Sequence, residues 1–321
     1  MILHDPKNIR YFSGYCGEGI AVITPERKVL LVDGRYTIEA QQNTGKFEVV
    51  TTSTPYEEIS KMGFARIGIE ENHLTLRQVK KLEGITTFDI SEKVANMRAV
   101  KTETELKNLS KAAEIANQAL HHITACIQPG ITTEKQAALE LEFWMRRNGA
   151  ESVSFDIIVA SGERSALPHA VPTDAVIPEN GYVLLDYGCK YNGYCSDMTR
   201  MIPYGEISTQ MQEIHDIVAV AQQAALAVVR AGVSAKEVDE AAREVIKQAG
   251  YGEKFVHSTG HGVGLDIHEE PRINSKSEAI LQENMVITVE PGIYIEGIGG
   301  VRIEDMICVT ADGYINFSHE K

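Results

Sequence analysis

Asp186 and Asp197 stand in the segment LLDYGCKYNGYCSDMTR, on either side of Asn192-Gly193, the strongest short-range signal for a two-residue hairpin turn. A tight turn there sets position 186 opposite 199 and leaves 197 two residues along on the same face. The carboxylates are then diagonal cross-strand neighbours, about 7–8 Å apart at Cα. Two carboxylates so placed repel, and they need a cation between them or a proton on one. Solvated aspartates on an exposed hairpin are the ordinary alternative, but Leu184, Leu185 and Met198 beside them predict a packed one.

Three of the ten histidines, His257, His261 and His268, fall within FVHSTGHGVGLDIHEEP. Gly260, Gly262 and Gly264 argue against a helix and permit close approach of the backbone to a ligand. In an extended chain 257 and 261 share a face. A single histidine is usually structural; three in so short a stretch point to a site. Glu290 (NMVITVEPGIYI) and Glu304 (GGVRIEDMICVT) each interrupt apolar strand-like sequence, where a carboxylate is costly unless paired or ligating. Arg302 shares a strand face with Glu304 and offers it a charge-assisted pair; Glu290 has no such local partner. Four carboxylates with one imidazole make a hard, oxygen-rich donor set suited to Mn²⁺, Co²⁺ or Zn²⁺. Two divalent ions balance the four charges, and such a pair, about 3.5–4 Å apart, activates water near neutral pH and polarises a carbonyl, as amide hydrolysis requires.

The elements that must position these residues follow from periodicity. Residues 1–94 alternate short apolar runs (GIAVIT, KVLLVDG, FEVVTT, ARIGIE) with helix-like stretches at 36–42 and 75–83, predicting a small α/β domain that opens on the end of a strand. Residues 91–101 form a junction, and the second domain runs over 95–321. It contains helices at 103–127, closed by Pro129-Gly130, and at 133–147, closed by Asn148-Gly149. Strands SFDIIVAS, YVLLDYGCKY and GYCSDMTRMI follow, then helices at 209–231 and 234–250, then strand and turn to the end. Two rounds of helix, helix, strands predict a pseudo-duplicated α+β layer.

With 31 Lys plus Arg against 45 Asp plus Glu, the net charge of -14 disfavours nucleic acid and anionic membrane partners. At 321 residues and 43% apolar composition the chain can bury a sizeable core. Five scattered cysteines without a Cys-x-x-Cys pair fit a reducing compartment. No signal-peptide pattern or membrane-length apolar run occurs, and the expected location is cytoplasmic.

The ordered set Asp186, Asp197, His261, Glu290 and Glu304, within DYG, SDMTR, GHGVG, VEPG and RIED, resembles the pita-bread metallopeptidases in their aminopeptidase P and prolidase branch. Its spacings of 11 (186 to 197), 29 (261 to 290) and 14 (290 to 304) also match. The resemblance spans essentially the whole chain and is strongest from Arg98 onward. It implies an α+β pita-bread (creatinase/aminopeptidase) catalytic domain behind a creatinase-like N-terminal α/β domain, here shortened and without its opening strand and helix. It implies two divalent metals, Mn²⁺ foremost, with Asp197 and Glu304 bridging, Asp186 and His261 ligating, and Glu290 ligating while acting as general base. His169, in ALPHA, resembles a proton-handling or substrate-contacting histidine. His257 and His268 resemble the substrate-binding pair that steadies the tetrahedral intermediate, and Arg302 the residue that holds the ligand shell. The implied activity is hydrolysis of Xaa-Pro bonds, in dipeptides or at peptide N-termini, by a metal-bridging hydroxide in a homodimer. Methionine aminopeptidase shares fold and ligands, but the N-terminal domain, the 14-residue gap and Arg302 favour the proline branch. A metal-free creatinase-like enzyme or a non-catalytic peptide-binding member would be expected to lose ligands that are all present here.

Overall fold

The computed structural model describes residues 1–318. The chain divides into two compact units, Met1–Arg98 and Ala99–Lys321.

In the first unit, β1 (Ile2–Leu3), β2 (Ile20–Ile23), β3 (Lys28–Val32) and β4 (Glu48–Thr51) form one sheet in that order, with β3 and β4 parallel. β5 (Arg66–Ile69) and β6 (Thr86–Asp89) make a separate parallel pair. Period-two alternation splits the apolar residues between two cores. Leu3, Ala21, Leu30 and Val32 pack with Ile9 and Phe47, whereas Ile2, Val22, Val29 and Leu31 pack with Ile59, Ile67 and Ile69. Four helices connect the strands, α1 (Pro6–Ser13), α2 (Thr37–Asn43), α3 (Pro55–Lys61) and α4 (Leu76–Lys80), and α5 (Ser91–Ala99) follows the last of them. Asp5 caps α1 ahead of Pro6, and left-handed Gly14 ends it. α5 occupies the stretch expected to be a junction.

The second unit opens with α6 (Glu103–Cys126) and α7 (Glu134–Arg147), each started by a capping box, Thr102/Glu105 and Thr133/Gln136. β7 (Ser152–Val153), β8 (Ile158–Ser161), β9 (Gly181–Tyr187), β10 (Cys189–Tyr191), β11 (Tyr194–Cys195) and β12 (Met198–Tyr204) follow. Next come α8 (Thr209–Val228) and α9 (Ala235–Gln248), capped by Ser208 and Ser234. β13 (Gly260–Gly262), β14 (Glu269–Ile273), β15 (Val286–Val289), β16 (Gly292–Ile295), β17 (Gly299–Arg302), β18 (Asp305–Val309) and β19 (Tyr314–Asn316) complete it. α8 stops three residues short of the expected end, where the Ala231 N–H turns to Thr310. No helix among the described residues is long and apolar enough to cross a membrane.

Strand β9 is buried on both faces, which is why VLLDY reads as a continuous apolar run. Val183 and Leu185 pack in the core that holds α6 and α7, while Tyr182 and Leu184 pack in the core that holds α8 and α9. The duplicated pattern is visible in the backbone bonds ahead of α7 and α9. Gly130 N–H to Ile177 O and Glu134 N–H to Ala175 O in the first half are mirrored by Gly232 N–H to Leu281 O and Ala235 N–H to Ala279 O in the second.

Candidate active site

The β9–β12 hairpin pairs Asp186 with Thr199, the register that an Asn192-Gly193 turn dictates. Gly188 is required inside it, because a Cβ there would lie 1.8 Å from the Ser196 carbonyl oxygen. Asp186 continues the Tyr182–Leu184 face at the end of β9, and Asp197 sits just before β12; both are buried. His261 lies mid-β13, Glu290 directly after β15, and Glu304 between β17 and β18.

These segments converge. Donor atoms of Asp197, His261 and Glu304 all lie within 4.8 Å of one another. His261 Nε2 is 3.2 Å from Glu290 Oε1 and 3.5 Å from Asp197 Oδ2. His261 Nδ1 donates to the Gly262 carbonyl at 3.1 Å, which leaves Nε2 as the lone-pair nitrogen facing the carboxylates. Asp186 Oδ2 accepts from the Arg302 guanidinium at 2.5 Å, whereas its Oδ1 is buried without a partner.

Arg302 does not pair with Glu304 as their shared strand face suggested. β17 ends at Arg302, and its fork reaches Asp186, the Thr199 hydroxyl (3.0 Å), the Tyr294 hydroxyl (2.7 Å) and the Pro168 carbonyl (3.2 Å). Thr199 then donates to Glu304 Oε2 at 2.6 Å, so a hydroxyl stands between the arginine and the glutamate. A Cβ at Gly260 would meet the Thr288 carbonyl oxygen at 2.0 Å and one at Gly262 the Glu270 carbonyl oxygen at 2.2 Å. Gly260 and Gly262 thus let neighbouring strands approach closely.

Burial raises the pKa of Asp186. It raises Asp197 and Glu304 further, with repulsion from neighbouring carboxylates adding to it. Burial pushes Glu290 up as well, but the His261 hydrogen bond and the charges of His261, His257 and Arg302 outweigh it and hold Glu290 down at about 2. An ionised glutamate beside carboxylates that resist ionising is an arrangement short of positive charge. The orphaned Asp186 oxygen, the His261 lone pair turned towards the carboxylates and the crowded carboxylates themselves fit divalent cations.

The other expected residues stand around this centre. His268 lies edge-on to His261 at 4.4 Å between centroids and remains partly exposed; the partial desolvation of its ring, with the neighbouring His261 adding to it, lowers its pKa to about 4. His257 Nδ1 donates to the Ser258 carbonyl (2.8 Å) and Nε2 accepts from Tyr294 Oη (2.9 Å); burial lowers its pKa. His169 is exposed, directly follows the Pro168 that Arg302 holds, and its charge contributes to lowering Asp186. Three residues absent from the sequence reading belong here: Thr199, Tyr294 and Thr288, whose hydroxyl accepts from His261 N–H and donates to Glu290. The pairing of Thr199 with Asp186 was readable from the turn; nothing local marks the other two.

Residues 107–311 match Metallopeptidase family M24, and residues 1–100 match the Creatinase/Prolidase N-terminal domain. The chain belongs to this metallopeptidase family. The metallopeptidase is 40% identical over 320 residues to an Xaa-Pro dipeptidase of Pyrococcus furiosus, covering 98% of this chain and 91% of that protein. Its fold superimposes on an Xaa-Pro dipeptidase from Bacillus anthracis with a TM-score of 0.95, at 41% identity over 100% of this chain and 92% of that one. An X-Pro aminopeptidase from Thermotoga maritima follows at a TM-score of 0.92 and 37% identity, covering 100% and 96%. The fold is therefore the pita-bread catalytic domain with a creatinase-type N-terminal domain.

Proposed function

We propose that this metallopeptidase cleaves the bond between an N-terminal residue and a following proline, in dipeptides or at the N-termini of short peptides. The observation that carries the reading is the convergence of Asp197, His261 and Glu304 beside an unsatisfied Asp186 oxygen, in a chain close to 40% identical over its length to an Xaa-Pro dipeptidase. Asp186, Asp197, His261, Glu290 and Glu304 would hold two divalent ions, Mn²⁺ in preference to Co²⁺ or Zn²⁺. When bound, such ions supply an activated water and polarise the scissile carbonyl.

The chain's own residues do the rest. Glu290, held ionised, accepts the proton of the attacking water and passes it to the departing proline nitrogen, a transfer worth about 10²–10⁴ in rate. His268 and His169, exposed at the edge of the centre, donate to the substrate carbonyl oxygen as it gains charge. His257 has both ring nitrogens engaged by Ser258 and Tyr294, so its part is to bind beside Glu290 and keep that face of the site filled. Arg302 fixes Asp186 and Thr199, and through Thr199 orients Glu304. The Xaa-Pro amide has no N–H and a fixed φ, so selection rests on fitting the ring rather than gripping the amide.

The proposal places the catalytic domain in residues 95–321, the N-terminal domain in 1–94, and the enzyme in the cytoplasm as a homodimer without nucleic-acid or membrane partners. Its test is an assay of Ala-Pro, Ala-Pro-Ala and Met-Ala-Ala after chelation, with each metal added back. Metal-dependent cleavage of the first two supports it; cleavage of Met-Ala-Ala alone, or bound metal without turnover, rejects it.

A further inference from the structure

Apart from the carboxylate cluster, donors of a different kind converge on the α6–α7 pair. His122 and Cys126 lie one turn apart near the end of α6, so their side chains stack on one helix face, and Glu140 of α7 meets them. The donor atoms of all three lie within 4.8 Å of one another. His122 Nε2 is 2.6 Å from Glu140 Oε1 and 3.4 Å from Cys126 Sγ. The imidazole stacks on Trp144, with centroids 5.6 Å apart and planes at 23°, which restricts its rotation and keeps Nε2 directed at the other two groups.

A hydrogen bond between His122 and Glu140 accounts for two of the three side chains and leaves the thiol unexplained. Metal geometry accounts for all three. Tetrahedral zinc bonds of about 2.0 Å to nitrogen and 2.3 Å to sulfur set those donors about 3.5 Å apart, close to the His122–Cys126 separation already present. The Glu140 side chain is 43% exposed and free to swing outward to bonding distance. A cavity of about 650 Å³, lined by Cys126 and Glu140 together with Ile123, Leu139 and Phe143, leaves room for the cation and a water.

We propose that His122, Cys126 and Glu140 form a second metal site for one borderline-soft divalent cation of the Zn²⁺ or Co²⁺ type, completed by solvent water. Ligation moves the Cys126 thiol proton to solvent and uses the neutral imidazole, with no change of oxidation state. Sulfur and nitrogen donors favour zinc and cobalt over manganese, so this site and the oxygen-rich centre sort metals differently. The inference stands apart from the peptidase reading.

The test uses the full chain with its carboxylate centre filled by Mn²⁺ and then titrated with Co²⁺, read by near-ultraviolet thiolate-to-cobalt charge-transfer absorption. The carboxylate and imidazole ligands of the catalytic centre cannot give this band. It is expected to saturate at one cobalt per chain and to vanish in Cys126→Ser with Ala-Pro hydrolysis unchanged. His122→Ala and Glu140→Ala are expected to bind cobalt at least about ten-fold more weakly, the lower end of what even an outer partner is worth. Cys16→Ser and Asp197→Asn are expected to keep the band, which separates failure of this site from failure of the catalytic one. No band in the folded protein, or a band that survives in Cys126→Ser with unchanged circular dichroism, overturns the proposal.

Discussion

Two sets of buried carboxylates in the second unit have opposite surroundings. Glu134 and Asp239 are fully buried, and every oxygen is met by donors of the chain. Glu134 accepts from Ser161 N–H and hydroxyl, Arg164, and Thr173 N–H and hydroxyl; Asp239 accepts from Arg243 and from Thr259 N–H and hydroxyl. Asp186, Asp197 and Glu304 are also buried, yet they crowd one another, and one Asp186 oxygen has no partner. Burial of a charge does not by itself signal function; the balance of donors around it does. A satisfied carboxylate locks a loop to a helix, and an unsatisfied cluster is a site for a cation.

The comparison breaks first at the cluster. Glu304→Ala is expected to lower kcat/KM for Ala-Pro by more than about a thousandfold, because the cations and their activated water depart together. After chelation, Asp197→Asn should melt above the chelated parent, since it removes one of the repelling charges; a lower melting temperature would show that the crowding is not a strain. The opposite sign is expected at a lock. Glu134→Ala strands Arg164 and the Ser161 and Thr173 donors, and urea unfolding should register a loss of about 3 kcal/mol with kcat nearly unchanged.

A smaller effect sharpens the contrast through pH. In the first unit burial lowers His4 to about 4, below its value in the unfolded chain, so its contribution is present above pH 6.5 and lost as pH falls towards 4. Between pH 7 and pH 5 that is about 2 kcal/mol of stability, and a His4→Gln variant should not show it. The raised carboxylates act the other way in the metal-free protein. Their folded values exceed their unfolded ones, so their term favours folding at low pH and is lost as pH rises. Smallest of all, Tyr294→Phe removes one hydroxyl from between Arg302 and His257, and a fall in kcat of about tenfold is expected in steady-state assays.

Much of the centre was legible because its residues break local rules. Asp186 is a charge within an apolar strand, Glu290 and Glu304 are charges beside apolar strands, and the Asn192-Gly193 turn fixes the register that sets Thr199 across from Asp186. The contacts that orient them were not legible from local pattern, and the role of Arg302 in holding the ligand shell entered only through the family resemblance. Arg302 reaches Asp186 across 116 residues and Thr199 across 103, and no local pattern encodes such a separation. Nothing local marked Glu134 either, because its six donor contacts come from residues 27–39 positions away. The helices of the second unit followed their period and caps closely. In the first unit Pro6–Ser13, Pro55–Lys61 and Ser91–Ala99 were missed, being short, and the last of them weakly amphipathic, although Asp5-Pro6 is a readable start.

The central claim is that the five donors hold divalent cations in pairs. Titrating the chelated protein with Mn²⁺, while counting bound ions and following Ala-Pro cleavage in the same samples, tests it most directly. Two ions per chain, with activity returning as they bind and neither occurring in Asp197→Asn, is the predicted result. Full activity in protein that binds no ion would contradict it.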